Sequence, residues 1–133
     1  MNARIRSPRE VVEDYNFSVW NTRDLDLADE LLGDQVIRHD VGESRTLTHT
    51  EAVQRVADTW TLFSELRFEL ILLIEGNDSE HVTIAYEAHM TLTDGKSLVI
   101  GSMEIFRVVG GRIVEVPIVW QEAPHASSVS VLR

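Results

Sequence analysis

The chain has 133 residues, of which 22 are acidic and 12 basic, so its formal net charge is -10. This length suits one domain, and 44% hydrophobic with 26% charged residues is typical of a globular protein rather than a disordered or membrane-embedded one. The charge disfavours nucleic acid and anionic membrane surfaces as partners, and the N-terminus lacks the apolar segment of a secretory signal, so we expect a cytoplasmic protein.

Three helices are predicted in the first half of the chain. Ser7, Pro8 and Glu10 form a capping box at the start of the first helix, which should run to about Asn21. The second is expected from Asp24 to a stop at Gly33. The third should begin at Thr48, which with Glu51 forms a second capping box, and continue to Phe63; it follows a short strand at 36–41 and a polar loop.

The second half of the chain predicts a β-meander. Segments 67–75, 81–93, 97–109 and 112–121 are rich in β-branched and aromatic residues, and glycine-containing turns separate them. Helices followed by consecutive strands indicate an α+β domain, a curved antiparallel sheet with three N-terminal helices on one face. We expect a single domain over 1–133, with a loosely ordered tail from about 123.

Glu104 is the first candidate for a catalytic residue. Alternation along segment 97–109 places it on one face with Ile100, Ser102 and Phe106, so it is an acid among apolar neighbours. Burial of a carboxyl raises its pKa and lets it exchange protons near neutral pH. A structural alternative is an outward-facing Glu104 that pairs with an arginine.

His39 and Asp40 are candidates for a general base. They are consecutive on a predicted strand and therefore point to opposite faces, so without a bulge only one of them can reach a cavity. The sequence does not decide which one. Either could instead be structural, His39 at the surface and Asp40 in a loop cap.

An apolar cavity is expected between the helices and the bent sheet, where it would bind a hydrophobic small molecule. No histidine spacing suits a metal, cysteine is absent, and no phosphate-binding or dinucleotide motif occurs, so we expect no metal and no cofactor. The residues predicted to line the cavity are mostly aromatic: Tyr15, Asn16, Trp20, Trp60, Phe63, Tyr86, Met90, Phe106 and Trp120.

The chain resembles the SnoaL-like polyketide cyclases. The resemblance rests on the order of elements, the turn NTRDLDL at 21–27 and the segment EIFRVVGGRIVE at 104–115. It implies the cone-shaped, cystatin-like or nuclear-transport-factor-2-like roll, a superfamily that also contains ketosteroid isomerase and limonene epoxide hydrolase. It spans roughly 11–121 and is more specific for fold than for reaction.

The resemblance also implies site residues. Glu104 matches the acid of an Asp-x-Phe-Arg pattern on the penultimate strand. His39 takes the place of the carboxylate in a Val-x-Asp-Pro-Val-Gly pattern on the first strand, while Asp40 takes that of the proline. The isomerase tyrosine falls near Asn16, next to Tyr15, so steroid isomerisation is not favoured.

Two functions from different classes follow from the sequence. The first is a cofactor-independent enzyme of the cyclase, isomerase or epoxide-opening type, in which Glu104 donates a proton and His39 or Asp40 removes one. The second is a non-catalytic module that binds a small molecule or dimerises. In both cases the outer sheet face predicts a homodimer; its apolar residues are Ile71, Leu73, Val99, Met103 and Ile105.

Overall fold

The computed structural model describes residues 4–40 and 42–122, and for 117–122 it describes the backbone alone. The first helical run consists of α1 (Pro8–Glu13), a π-helical segment (Asp14–Val19) and α2 (Trp20–Thr22). The π-helical segment carries one extra residue in its turn. The run ends at Arg23, whose φ of 53° is left-handed.

Both capping boxes that the sequence predicts are present. The Glu10 amide donates to Ser7 Oγ at 3.2 Å and the Ser7 amide donates to Glu10 Oε1 at 2.9 Å. Thr48 and Glu51 repeat this exchange at the start of α4 (His49–Trp60). Satisfying the first amides of a helix fixes where it begins, so these two starts match the prediction.

The second predicted helix is shorter than expected. Asp24 caps α3 (Leu25–Leu31) by accepting from the Leu27 amide at 3.0 Å, but the helix ends before Gly33, which belongs to strand β1 (Leu32–Asp40). A Cβ at Gly33 would lie 2.9 Å from the Ile113 carbonyl oxygen. Glycine is needed there for close approach of two strands and not for a helix stop.

Six strands form one sheet in the order β2-β1-β6-β5-β4-β3. All neighbouring pairs are antiparallel except β1 and β6, which are parallel, so the sheet is mixed where we expected an antiparallel one. The remaining strands are β2 (Glu43–Thr48), β3 (Phe63–Glu75), β4 (His81–Leu92), β5 (Ser97–Val109) and β6 (Arg112–Glu122). Strand β2 replaces the predicted polar loop. Its exposed edge position allows polar residues on both faces.

The core lies between the helices and one face of β4, β5 and β6. Strand β4 alternates regularly between buried and half-buried positions, which is the pattern of a sheet with one covered face. The largest fully buried apolar side chains are Phe106, Leu31, Ile84 and Ile113. Among the described residues, no helix is long and apolar enough to cross a membrane.

The outer face of the sheet differs from the prediction at one strand. Ile71 and Met103 are exposed as expected, whereas Leu73 turns inward and packs against the core. The cause is a bulge between Leu70 and Leu72, which shifts the alternation of β3 by one residue. Leu72 and Ile74 therefore take the exposed positions, with 53% and 54% of their surfaces accessible.

Candidate functional site

A cavity of about 150 Å³ opens between the first helical run, α4 and the concave sheet. Trp20 packs edge-on against Trp60 with ring centroids 5.8 Å apart, and Phe68 stacks at a tilt on Tyr86 at 4.8 Å. These contacts hold the aromatic walls in place. An apolar cavity of this volume accommodates a molecule about the size of benzene, so a larger ligand must extend through the mouth.

Glu104 projects into this cavity from β5. The neighbouring inward positions, Ser102 and Phe106, are buried, which confirms the predicted alternation. The Tyr86 hydroxyl donates a hydrogen bond to Glu104 Oε1 at 2.9 Å. The carboxyl is thus held by one oxygen at an enclosed position that solvent reaches only in part.

Burial raises the pKa of Glu104. The hydrogen bond from Tyr86 and the positive charges of Arg38 and Arg55 act in the opposite direction, but burial is the largest effect. A carboxyl that loses hydration keeps its proton to higher pH. The site therefore contains a carboxylic acid that is a proton donor over a wider pH range than an exposed glutamate.

Two tyrosine hydroxyls lie close to this acid. Burial raises the pKa of Tyr15 to about 12 and moves the pKa of Tyr86 well above its ordinary range, with the charge of Glu104 adding to both effects. Both phenols therefore remain neutral at physiological pH. Both are poor bases, and because the Tyr86 proton is already donated to Glu104, only the Tyr15 hydroxyl of the two can donate to another oxygen in the cavity.

Arg38 and Arg55 also line the cavity, from β1 and α4. Burial lowers the pKa of Arg38, and the neighbouring charge of Arg55 lowers it further. The sequence analysis missed both residues. A signal existed for Arg38, because it is two positions after the buried Val36 and so shares its face of the strand. Arg55 borders the apolar stripe of α4 and gave no comparable signal.

His39 does not face the cavity. Its ring is held between Ser44 Oγ at 2.6 Å and Glu115 Oε2 at 2.8 Å, and it lies outside the cavity lining. Because Arg38 points inward, alternation turns His39 to the other face of β1. The prediction of His39 as a cavity base is therefore not supported by this geometry.

Asp40 lies on the same face of β1 as Arg38, so no bulge is needed to turn it inward, but it is the last residue of the strand. Its carboxylate lies 3.5 Å from the Arg38 guanidinium and its side chain is 39% exposed. It is outside the cavity lining. Asp40 therefore contacts Arg38, which lines the cavity, but is not among the residues that line the cavity with Glu104.

The predicted lining residues divide into three groups. Trp60 is buried behind Trp20, and Asn16 is buried with its amide donating to the Val12 carbonyl at 3.0 Å; neither lines the cavity, contrary to the prediction. Trp120 pairs with Met103 in the strand register, and its side chain lies outside the described part of the chain. Six predicted residues do line the cavity: Tyr15, Trp20, Phe63, Tyr86, Met90 and Phe106.

Tyr15 and Trp20 reach the cavity together because of the π-helical segment between them. They are five residues apart, a spacing that a regular α-helix would place on different faces. The i to i+5 pattern of the π-helix brings them onto one side, with ring centroids 6.1 Å apart. The local widening therefore builds one wall of the site.

Two polar features complete the picture. Ser102 Oγ is buried on the cavity wall near the Tyr86 hydroxyl and makes no hydrogen bond within the described part of the chain. Within the described residues, one cluster could share a cation, formed by Glu69, Glu87 and His89. It lies on the outer face of β3 and β4, away from the cavity, and its members already contact one another.

The comparisons with known proteins agree with this fold. The chain is similar in structure to SalBIII, an epoxide hydrolase/cyclase-like enzyme in pyran ring formation in polyether salinomycin, with a TM-score of 0.73 and 23% identity over 86% of this chain and 89% of that one. It is also similar to an M. tuberculosis LEH-like epoxide hydrolase, with a TM-score of 0.70 and 15% identity over 94% and 88% of the two chains.

A third similar structure is a hypothetical protein with ketosteroid isomerase-like fold from Catenulispora acidiphila, with a TM-score of 0.70 and 14% identity over 91% and 90% of the two chains. At such identities the likeness concerns the fold alone. No curated protein sequence matches the chain. The sequence model of the SnoaL-like polyketide cyclases matches residues 10–127, nearly the whole chain. The chain therefore belongs to the SnoaL-like polyketide cyclase family.

Proposed function

We propose that the protein is a cofactor-independent enzyme in which Glu104 is the acid that protonates an oxygen of an apolar carbonyl or epoxide substrate. The observation that carries this proposal is the partly buried carboxyl in a small cavity, hydrogen-bonded to Tyr86 through one oxygen. Family membership supports it, because cyclases of this family act on such compounds.

The hydrogen bond fixes which oxygen reacts. Tyr86 donates to Oε1, so the protonated form of Glu104 carries its proton on Oε2. That oxygen has no other protein partner in the described residues and is free to donate to a substrate oxygen in the cavity. Transfer of the proton leaves a carboxylate, which the charges of Arg38 and Arg55 stabilise.

The number of carboxyl groups in the cavity limits which types of reaction the site can catalyse. Glu104 is the one carboxyl among the described lining residues, and Asp40 lies outside that lining, beside Arg38. Hydrolysis of an epoxide needs a base that activates water in addition to the acid. Ring closure can use one carboxyl, because the substrate supplies its own hydroxyl nucleophile, whose proton passes to the carboxylate that Glu104 leaves after protonating the epoxide oxygen. Isomerisation would use the same carboxyl in its ionised form, to remove a proton and then return it. We therefore favour intramolecular cyclisation or isomerisation over hydrolysis.

Glutamine at position 104 tests the acid directly. The Glu104→Gln variant keeps the shape and the acceptor for Tyr86 but has no transferable proton, so turnover of any substrate found in a panel of polycyclic ketones and hydroxy-epoxides should fall about 100-fold or more. Glu65→Gln, an exposed change on β3, is the matched control. Unchanged turnover in Glu104→Gln would exclude the proposed acid.

A non-catalytic binding module is the second candidate, and the observation in its favour is that the described lining residues include one carboxyl alone. The two functions predict different panel results. A binding module should hold ring compounds tightly and release them unchanged, whereas the enzyme should convert at least one compound in a manner that depends on Glu104.

We further propose that the protein is a homodimer formed through the outer face of the sheet. The strand register places Leu72, Ala85 and Met103 side by side, with Ile74 and Ile105 in the adjacent row. Leu72, Ile74 and Met103 are each about half exposed or more, and a continuous apolar surface across three strands favours association. Sedimentation should give a dimer at micromolar concentration and a monomer for Met103→Glu; a monomeric native chain would contradict the proposal.

A further inference from the structure

The charges of the cavity wall do not match an entirely apolar ligand. Arg38 and Arg55 both line the cavity, and Glu104 is the one acid there among the described residues. Even a fully ionised Glu104 leaves one positive charge in excess among the lining residues, which Asp40, half-exposed beside Arg38 and outside the lining, offsets only in part. The whole chain has a net charge of -10, so this positive interior is a local exception.

The existing ion pairs leave part of this charge uncompensated. The Arg38 side chain is only 13% exposed, and its partner Asp40 stands 3.5 Å away at the strand end. Arg55 takes part in none of the ion pairs between described residues. Burial lowers the pKa of the Arg38 guanidinium, and the nearby charge of Arg55 lowers it further, so both effects disfavour the two positive charges in this wall. An anion bound between them would remove this cost.

We propose that the substrate carries a carboxylate, which Arg55 and Arg38 bind so that the neutral, reacting part of the molecule is directed toward Glu104. The planar guanidinium presents paired N–H donors that match the two oxygens of a carboxylate. The cavity volume admits about one ring, so the rest of the molecule extends through the mouth. The orientation toward Glu104 rests on the proposed function, whereas the preference for an anion does not.

Binding of an anion should also affect the acid. The positive charges of Arg38 and Arg55 lower the pKa of Glu104, so a bound carboxylate that neutralises them raises it. By linkage, the anion should bind more weakly as pH rises and Glu104 loses its proton. The titratable and charged groups that face Glu104 from the elements around it are Tyr15, Tyr86, Arg38 and Arg55, with Asp40 behind Arg38.

Benzoate and benzamide provide the test, because they have nearly the same size and shape but differ in charge. Isothermal titration of the purified protein at about 0.15 M salt should show benzoate binding about tenfold tighter than benzamide, since hydrogen bonds to charged groups exceed those to neutral ones by this order. Equal affinity for the two compounds, or stronger binding of benzamide, would overturn the inference.

Arginine variants identify the group that binds the anion. Arg55→Gln should lower the affinity for benzoate about tenfold and leave that for benzamide nearly unchanged. Arg55→Lys should bind benzoate with an intermediate affinity, because lysine keeps the positive charge but lacks the paired N–H donors of the guanidinium. Arg67→Gln, on the outer face of β3, is the control and should bind both compounds like the native chain. Native benzoate affinity in Arg55→Gln refutes the assignment.

The Glu104→Gln variant separates this inference from the proposed function. It should still prefer benzoate, but the affinity should no longer fall with rising pH over the range in which the probe itself is ionised throughout. Retained benzoate preference together with undiminished turnover in this variant would uphold the anion site and refute the acid. Loss of turnover together with equal binding of benzoate and benzamide would uphold Glu104 as the acid and refute the anion site.

Discussion

Replacement of Glu104 by glutamine should change how the folding stability of this protein depends on pH. The ordinary pKa of a glutamate is 4.5, and burial raises that of Glu104 in the folded chain. Between those two values the folded state holds a proton that the unfolded state has lost. The free energy of unfolding therefore falls as pH rises through this window and becomes constant above the folded pKa. Glutamine does not titrate, so the Glu104→Gln variant lacks this decrease in the free energy of unfolding.

The size of the effect follows from the pKa difference. Each unit by which the folded pKa exceeds the unfolded one costs the native protein about 1.4 kcal/mol above the window. For a domain of this length, one kcal/mol corresponds to roughly 3 to 5 °C in melting temperature. Glu104→Gln should thus be about as stable as the native chain near pH 4 and more stable at pH 8, since Gln still accepts from Tyr86.

Urea denaturation at a series of pH values and one fixed protein concentration measures this difference directly. Glu65→Gln, whose side chain is exposed, should show little difference at any pH. If the native chain is instead more stable than Glu104→Gln at pH 8, the charges of Arg38 and Arg55 outweigh burial. The reasoning about a protonated acid is then wrong.

Two further substitutions test neighbouring parts of the argument. Tyr86→Phe removes the hydrogen bond that lowers the pKa of Glu104, so this pKa should rise further. Infrared spectroscopy at a series of pH values should show the carboxyl band of Glu104 titrating at a higher pH than in the native chain. A shift to lower pH would contradict Tyr86 as the donor. Ile84→Ala, at a fully buried position of β4, should cost about 2–5 kcal/mol in chemical denaturation. Leu62→Ala, at an exposed position just after α4 and away from the outer sheet face, should cost less than about 1 kcal/mol, and a similar cost at both positions would contradict the assigned burial.

The central acid of the site could be predicted from local sequence alone. Strand β5 has no bulge across 97–105, so strict alternation holds and places Glu104 beside Ser102 and Phe106 on the buried face. The capping boxes at Ser7 and Thr48 were likewise predictable, because each is completed within four residues.

Features that depend on distant partners could not be predicted. The parallel pairing of β1 with β6 joins segments some eighty residues apart, and nothing in either segment specifies the direction of its partner. The bulge between Leu70 and Leu72 also leaves no signal in the sequence, because every residue around it is apolar. The prediction of Leu73 on the outer face is therefore wrong. For the pair His39 and Asp40, alternation showed that they face opposite ways, but only the fold decides which way is inward.

The π-helical turn at Asp14–Val19 also sets a limit on how the chain can change in length. Loss of one residue there would restore the regular helix and rotate everything before it by about 100° relative to Trp20. Val11 and Val12, which are completely buried, would swing away from their contacts, and the Tyr15 ring would leave the hollow. Insertions and deletions should therefore accumulate in the hairpin loops of this family branch, while the length of this first helical run stays fixed.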